Sequence, residues 1–152
     1  MPDGNETLVH VTHDAPWLPP GSHADVVRSD TPPHPMCVVR LLLRDADRVF
    51  CVPRTDGRLD LPMKPTAVTD HDGRAAIHSL VESVVGKDAT VRFIGAVRNV
   101  VDAPEADYAW PTPLAHFGVW VSGGTPRIDG TWVDIQDELS PVRDRHWYPL
   151  SV

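Results

Sequence analysis

Three residues in the middle of the chain have the side chains and the spacing that metal-assisted hydrolysis uses. His78 and Glu82 lie four positions apart, so on a helix they share one face, and Asp70 precedes the same predicted helix. Carboxylates bind Mg²⁺ and Mn²⁺, which activate water against a phosphate, while imidazole favours Zn²⁺ or Mn²⁺ over Mg²⁺. We therefore take Glu82, His78 and Asp70 as candidate catalytic residues. The alternative is structural: His78 bonds to Glu82, and Asp70 or Asp72 caps the helix.

A second group of residues is suited to binding the anionic part of a ligand. Arg40 and Arg98 interrupt apolar strands, so their side chains are predicted to point into a cleft, and Arg54 follows the next strand. The planar guanidinium fork binds phosphate bidentately, and Trp110 could stack on a base. Arg40, Arg54, Arg98 and Trp110 are thus candidate substrate-binding residues. The alternative is that the arginines form surface ion pairs and the aromatic residues belong to the core.

Composition limits the classes of protein that fit. The 152 residues are 41% hydrophobic and 23% charged, which predicts one globular domain. The net charge of -7 argues against nucleic-acid binding, which needs a basic surface. No apolar run approaches the roughly 18 residues that a membrane span needs, and the first residues do not resemble a signal peptide. We therefore expect a cytoplasmic protein with no membrane partner, whose two cysteines, Cys37 and Cys51, are free and buried.

The elements that must position these residues follow from the pattern. Residues 1–35 are rich in Pro, Asp and Ser and predict an arm packed on the domain, with one strand near ETLVHVTH and with Trp17 and Leu18 as anchors. Residues 36–152 form the domain itself. MCVVRLLLRD and VFCVPR predict a hairpin, and RLDLP predicts a short third strand.

The second half of the chain predicts a helix followed by more strands. Ile77, Leu80, Val81 and Val84 give the helix an apolar face, and Gly86 ends it. ATVRFIGAVRNVVDA and LAHFGVWVSGG predict strands, and TWVDIQDELSP predicts a strand that runs into a short helix. This order favours an α/β or α+β fold with a mixed sheet packed between helices.

The same stretches resemble the Nudix family. Leu61–Pro62 is similar to the family's lead-in, Ala75–Ala76 to the entry of its helix, Leu80 to the apolar position and Glu82 to the first Glu of a pair. WVDIQDEL, residues 132–139, is similar to the late tryptophan strand of the family and its Asp-Glu-Leu turn. The resemblance covers roughly residues 35–150 and implies a Nudix-type α/β/α sandwich.

The stretch that corresponds to the family's conserved motif, the Nudix box, is Leu61–Gly86, and it departs from the family pattern at several positions that carry the chemistry. The family has glycines, an Arg and further Glu residues where this sequence has other side chains: Met63 and Lys64, Asp70, His78, Ser79, Ser83 and Val85. Glu82 is therefore the one carboxylate of three expected on the helix face. A serine hydroxyl is neutral and a weaker ligand for a hard cation.

The resemblance implies a pyrophosphohydrolase of nucleoside diphosphates linked to another moiety, with Mg²⁺ or Mn²⁺ held by Glu82 and by Glu105 from a later loop. Lys64, where the family has Gly, is a further candidate for contact with phosphate. Asp107 is the alternative to Glu105 in that loop, and both residues could instead be solvated. The missing carboxylates predict weak or altered activity, or no metal requirement. The alternative is an inactive Nudix domain that binds a nucleotide or a protein. The N-terminal arm either exchanges between subunits, which would make the protein a homodimer, or covers the cleft.

Overall fold

The computed structural model describes residues 5–152, which form an α+β fold around one large mixed sheet. The described residues contain a single α-helix, α1 (Arg74–Val84), and a short 3₁₀ turn at Tyr148–Leu150. The nine strands are β1 (Thr7–His13), β2 (His23–Arg28), β3 (Met36–Asp45), β4 (Arg48–Pro53), β5 (Leu59–Asp60), β6 (Met63–Pro65), β7 (Val91–Val100), β8 (Leu114–Ser122) and β9 (Thr131–Asp134). The predicted α+β class with a mixed sheet is confirmed.

The order of the strands explains why the sheet is mixed. Five strands run in the order β1-β2-β7-β8-β3, and β3 and β8 are parallel, whereas the other neighbours in this row are antiparallel. β3 also pairs with β6 and forms the predicted hairpin with β4, which in turn pairs with β5 and β9. Strand β3 therefore lies at the centre, with long neighbours on one side and short ones on the other.

Helix α1 covers one face of the sheet, because the apolar residues along one side of the helix pack against the strands. Ile77, Leu80, Val81 and Val84 are buried, as predicted, and pack in one cluster with Val39, Leu41, Leu43, Phe93 and Trp120 of the strands. At its start, Asp70 accepts hydrogen bonds from the backbone N–H groups of Ala75 and Ala76, at 3.1 and 2.9 Å. At its end, Gly86 at φ +120° donates its N–H to Val81 at 3.0 Å. Both predicted helix ends are confirmed.

The opposite face of the sheet is covered by the C-terminal segment, residues 135–152. Ile135, Val142, Trp147 and Leu150 of this segment pack on Val26, Leu42, Val97 and Val119 of the strands. The helix predicted within TWVDIQDELSP is wrong, because β9 is followed by bends and turns. Asp134 and Asp137 each accept the backbone N–H two residues on, which stabilises turns in place of a helix.

The N-terminal arm is more regular than the sequence pattern predicted. Strand β1 matches the predicted ETLVHVTH strand, but a second strand, β2, pairs with both β1 and β7 and extends the sheet. Leu18 is buried with Ala15, Ala24 and Val101, so it anchors the connection between β1 and β2. Residues 1–4 of the predicted arm lie outside the described residues.

Both cysteines are buried and free, as expected. Burial raises the pKa of the Cys51 thiol to about 12. None of the helices in the described part of the chain is long and apolar enough to cross a membrane.

Candidate functional site

A cavity of about 450 Å³ opens on the sheet face that the C-terminal segment covers. Charged and aromatic side chains from distant parts of the sequence line it. The charged ones are four arginines and two aspartates: Arg40, Arg54, Arg58, Arg145, Asp60 and Asp144. The aromatic ones are Trp17, Trp110, Phe117, His146 and Trp147. Cationic groups in a concave site with aromatic walls suit a ligand that has both an anionic and a planar part.

Arg40 reaches the cavity because of its place in strand β3. Side chains alternate between the two faces of a strand. Val39 and Leu41 pack against α1, so Arg40 points to the other face. Met63, the partner of Arg40 in β6, lines the same cavity. The apolar pattern of β3, interrupted at this one position, thus places a cation on the cavity wall.

The guanidinium of Arg40 is almost wholly enclosed by the protein. Its Nε is buried, and within residues 5–152 it makes no hydrogen bond. Burial lowers the pKa of Arg40 from its ordinary value, and the nearby carboxylate of Asp60 partly opposes this effect. Buried polar groups are normally satisfied, and an unpaired buried charge is destabilising. Arg40 therefore retains the capacity to bind an anion.

The other arginines of the cavity already have acidic or carbonyl partners. Arg54 lies 3.6 Å from a carboxylate oxygen of Asp60, and Arg58 lies 3.1 Å from Asp144. Arg145 donates to the backbone oxygen of Leu59 from Nε and Nη2, and to Asp144 from Nη1 at 3.0 Å. These pairs hold the loop after β4 against the C-terminal segment.

Asp60 forms the floor of the cavity. The residue is 2% exposed, and its Oδ1 accepts hydrogen bonds from the indole of Trp147 and the backbone N–H of Leu61. Its Oδ2 faces Arg54 and, at 3.9 Å, Arg145. Asp60 is thus a buried carboxylate surrounded by hydrogen-bond donors. Its negative charge holds Arg54 and Arg145 in place beside it.

Two aromatic pairs form the upper walls of the cavity. Trp17, from the connection between β1 and β2, stacks on His146 with ring centroids 4.0 Å apart. Trp110, from the loop between β7 and β8, packs edge-on against Phe117 with centroids 5.0 Å apart. Both tryptophans remain partly exposed, at 42% and 39%, so each keeps surface that a ligand can contact.

Three of the five predicted substrate-binding residues, Arg40, Arg54 and Trp110, therefore meet in one cavity. Lys64 lies elsewhere, on the helix side of the sheet, where its Nζ donates to Ser79 at 3.0 Å.

Arg98 also lies outside the cavity and is fully engaged. Its two terminal nitrogens each donate to Glu6 at 2.7 Å, and its Nε donates to Nε2 of His116 at 2.8 Å. His116 is 1% exposed, and its Nδ1 lies 3.0 Å from the backbone oxygen of Pro35, which it serves as a donor. Burial is the main cause that lowers the pKa of His116 to about 4. This network joins the N-terminal hairpin to β7 and β8.

The predicted catalytic and metal-binding residues are placed separately from the cavity. His78 and Glu82 are exposed on α1, and Glu105 is exposed in the loop after β7. Asp70 uses both carboxylate oxygens to cap α1. The alternative hydrogen bond between His78 and Glu82 is not among those of residues 5–152. The same residues contain no group of three His, Cys, Asp or Glu side chains that could hold a metal ion.

Sequence reasoning missed the residues that complete the cavity: Trp17 as a wall, Arg58, Asp60, Asp144, Arg145, His146 and Trp147. The signal was the run RDRHW at residues 143–147, where three charged side chains are followed by His146 and Trp147 without a helical or strand period. A run of this kind is more typical of a loop that contributes side chains to a binding site than of a helix or strand.

The sequence matches no protein-family model and no curated protein.

Proposed function

We propose that the protein binds a small phosphorylated ligand of nucleotide type in the cavity around Arg40. The observation that carries this proposal is the enclosed Nε of Arg40, which makes no hydrogen bond within residues 5–152. An anion in the cavity would lie beside the guanidinium of Arg40 and offset its charge. Phosphate suits a guanidinium because its oxygens accept two parallel hydrogen bonds from the planar fork.

The other charges around the cavity support the same ligand class. The lining has twice as many arginines as aspartates, which gives a local positive balance in a protein of net charge -7. Arg54 and Arg58 are paired with carboxylates at contact distances that a phosphate could share. A ligand with one or two phosphate groups would therefore find donors already held in place.

A planar ring in the ligand is supported by the aromatic walls. Trp17 and Trp110 each present a partly exposed ring face. Stacking on a base contributes on the order of 1–3 kcal/mol. Asn99, which also lines the cavity, supplies an amide that could bond to a base edge.

The Nudix-type α/β/α sandwich belongs to this proposal as an interpretation of the fold. It is supported by the Leu61–Pro62 lead-in and by helix α1, which follows it at the position of the family's box. Under this interpretation the chain is a Nudix domain with an altered box. Its ligand site then lies across the sheet from the box helix.

Hydrolysis of a pyrophosphate at helix α1, on the face of the sheet opposite the cavity, is a second candidate function. It is favoured by Glu82 and His78, which are exposed on α1. The donor set fits Mg²⁺ or Mn²⁺ poorly, because Asp70 is used by the helix cap and Lys64 places an ammonium group beside Ser79 on the same helix. We therefore place binding before catalysis.

Calorimetric titration with pyrophosphate, ADP and ADP-ribose tests the binding proposal. We expect Arg40→Gln to weaken the tightest of these ligands by about tenfold or more, because a charge-assisted hydrogen bond is lost. Arg40→Lys should retain part of the affinity. Arg92→Gln, which removes an exposed arginine of β7 outside the cavity, is the matched control. Equal affinities of the Arg40→Gln and Arg92→Gln proteins would contradict the proposal.

Product release from the same ligands, with Mg²⁺ and with Mn²⁺, tests the second function. Turnover that is lost in Glu82→Gln and kept in Glu138→Gln, an exposed glutamate after β9, would establish hydrolysis. Equal turnover in both variants would exclude Glu82 as the catalytic carboxylate. Absence of turnover in the unmodified protein would leave binding as the function.

A further inference from the structure

A second cavity, of about 310 Å³, adjoins the first. Trp17, Val97, Asp144, Arg145 and His146 line both, so the two cavities share one wall. The second has an apolar side formed by Ala24 and Val26 of β2, with Tyr148 and Pro149 of the C-terminal segment. The buried Nε of Arg40, which makes no hydrogen bond within residues 5–152, belongs to the first cavity. The apolar side belongs to the second cavity, which Arg143, Asp144 and Arg145 also line.

The wall between the cavities is made partly of side chains. The indole of Trp17 and the imidazole of His146 stack with an interplanar angle of 19°. Trp17 is 42% exposed, while its neighbour Leu18 is buried and fixes the backbone. Rotation of the indole can therefore join the two cavities without movement of the hairpin.

The geometry points to a second ligand subsite in this cavity, which takes the apolar or aromatic substituent of an organic phosphate bound at Arg40. This inference rests on the proposed function and adds the chemistry of the second half of the ligand. The phosphate lies among the arginines, and the substituent passes the Trp17–His146 stack and packs on Ala24, Val26 and Tyr148. Apolar area removed from water in the second cavity then adds to the affinity of the phosphate.

Strand β1 offers a way to fill the second cavity alone. Thr12 and His10 line it and do not line the first. Thr12 pairs with Ala24, whose side chain also faces the second cavity. An indole at position 12 or 10 would occupy the subsite and leave the arginines unchanged. Leu8, in the same strand, is 58% exposed and lines neither cavity, so Leu8→Trp is the matched control.

The experiment compares the affinities of 1-naphthyl phosphate and inorganic phosphate by calorimetric titration. We expect the unmodified protein and Leu8→Trp to prefer 1-naphthyl phosphate by about tenfold or more. Thr12→Trp should lose most of this preference and keep its affinity for inorganic phosphate. His10→Trp provides a second test in case Thr12→Trp does not fold.

Two results would overturn the inference while the proposed function stands. One is a preference below about threefold in the unmodified protein. The other is a preference that survives in the folded Thr12→Trp or His10→Trp protein. If the proposed function is wrong, the result is distinguishable, because inorganic phosphate and nucleotides would then not bind at Arg40. The second subsite would be excluded as well in that case.

Discussion

The indole Nε1 of Trp147 donates a 2.7 Å hydrogen bond to Oδ1 of Asp60, and both residues are almost wholly buried. The bond joins the C-terminal segment to strand β5 beneath the cavity. The carboxylate that sets the charge of the cavity floor is thus held by an aromatic residue of the second core cluster. Cavity shape and stability are therefore coupled at this pair.

Removal of this hydrogen bond should destabilise the protein. Trp147→Phe leaves one acceptor position of Asp60 unsatisfied in a buried site, and we expect it to lower the free energy of unfolding by about 1–3 kcal/mol beyond the loss of apolar contact. Chemical denaturation measures the change. Trp132→Phe is the control, because this partly buried indole packs on Phe50 and makes no side-chain hydrogen bond within residues 5–152. Similar losses in the two variants would show that the bond to Asp60 contributes little.

Stability should fall as the pH is lowered, chiefly because of His116. The pKa of His116 is about 4 in the folded protein and about 6.5 in the unfolded chain, so below pH 6.5 the unfolded chain binds the extra proton. We expect a loss of about 3 kcal/mol between pH 6.5 and 4, after which this group has no further effect. Urea denaturation across this range gives the slope.

The variant His116→Gln should flatten that slope, whereas His78→Gln, which changes an exposed residue of α1, should leave it unchanged. A second loss of stability should begin when the pH falls below the ordinary pKa of a glutamate, because of Glu6. The hydrogen bonds from Arg98 are the main cause that lowers the pKa of Glu6, and the stability they add is lost as that carboxylate is protonated. A slope that is equal in both histidine variants would contradict the assignment to His116.

Loss of the charge on Glu6 should loosen the N-terminal hairpin without unfolding the domain. Glu6→Gln replaces the paired carboxylate that binds both terminal nitrogens of Arg98. We expect faster amide hydrogen exchange in β1 and β2, while β3 and β8 keep their protection. Glu138→Gln serves as the control for a change of charge alone. Unchanged exchange in β1 would mean that strand pairing holds the hairpin by itself.

Gly73 should tolerate no side chain. Its φ of +78° lies in the left-handed region, and an added Cβ would lie 2.8 Å from side-chain carbons of both Met36 and Val39. We expect Gly73→Ala to lower the free energy of unfolding by roughly 2–4 kcal/mol, from backbone strain and overpacking. Gly123→Ala, where a Cβ meets nothing within 4 Å, should change stability by less than about 1 kcal/mol. Thermal denaturation of the two variants decides between these expectations.

The parts of the fold that could be predicted are those with a local period. Strand β3, strand β8 and helix α1 have long apolar patterns, and their bounds agree with the sequence. Strand β2 was missed because HADVVR is short and lies within a Pro-rich arm, so only its pairing with β1 and β7 identifies it. The helix expected after β9 failed because aspartates there bond to the local backbone.

The site could be predicted only where a strand pattern was broken. Arg40 interrupts an apolar strand, and it does line the cavity. Arg98 also interrupts one, but its side chain points to the other face, where Glu6 and His116 bind it. Which face a charged residue takes depends on strand register and on partners distant in sequence. The same limit hid Asp60 and Arg145, which lie far apart in the sequence and meet only in the fold.

Trp17 and His146 stack to form one wall of the cavity, and they come from opposite ends of the sequence. During synthesis, Trp17 and Arg40 are therefore made before His146, so this wall cannot close until residue 146 has been added. We expect a chain that stops before His146 to retain a phosphorylated ligand poorly, because it has Arg40 but lacks the wall.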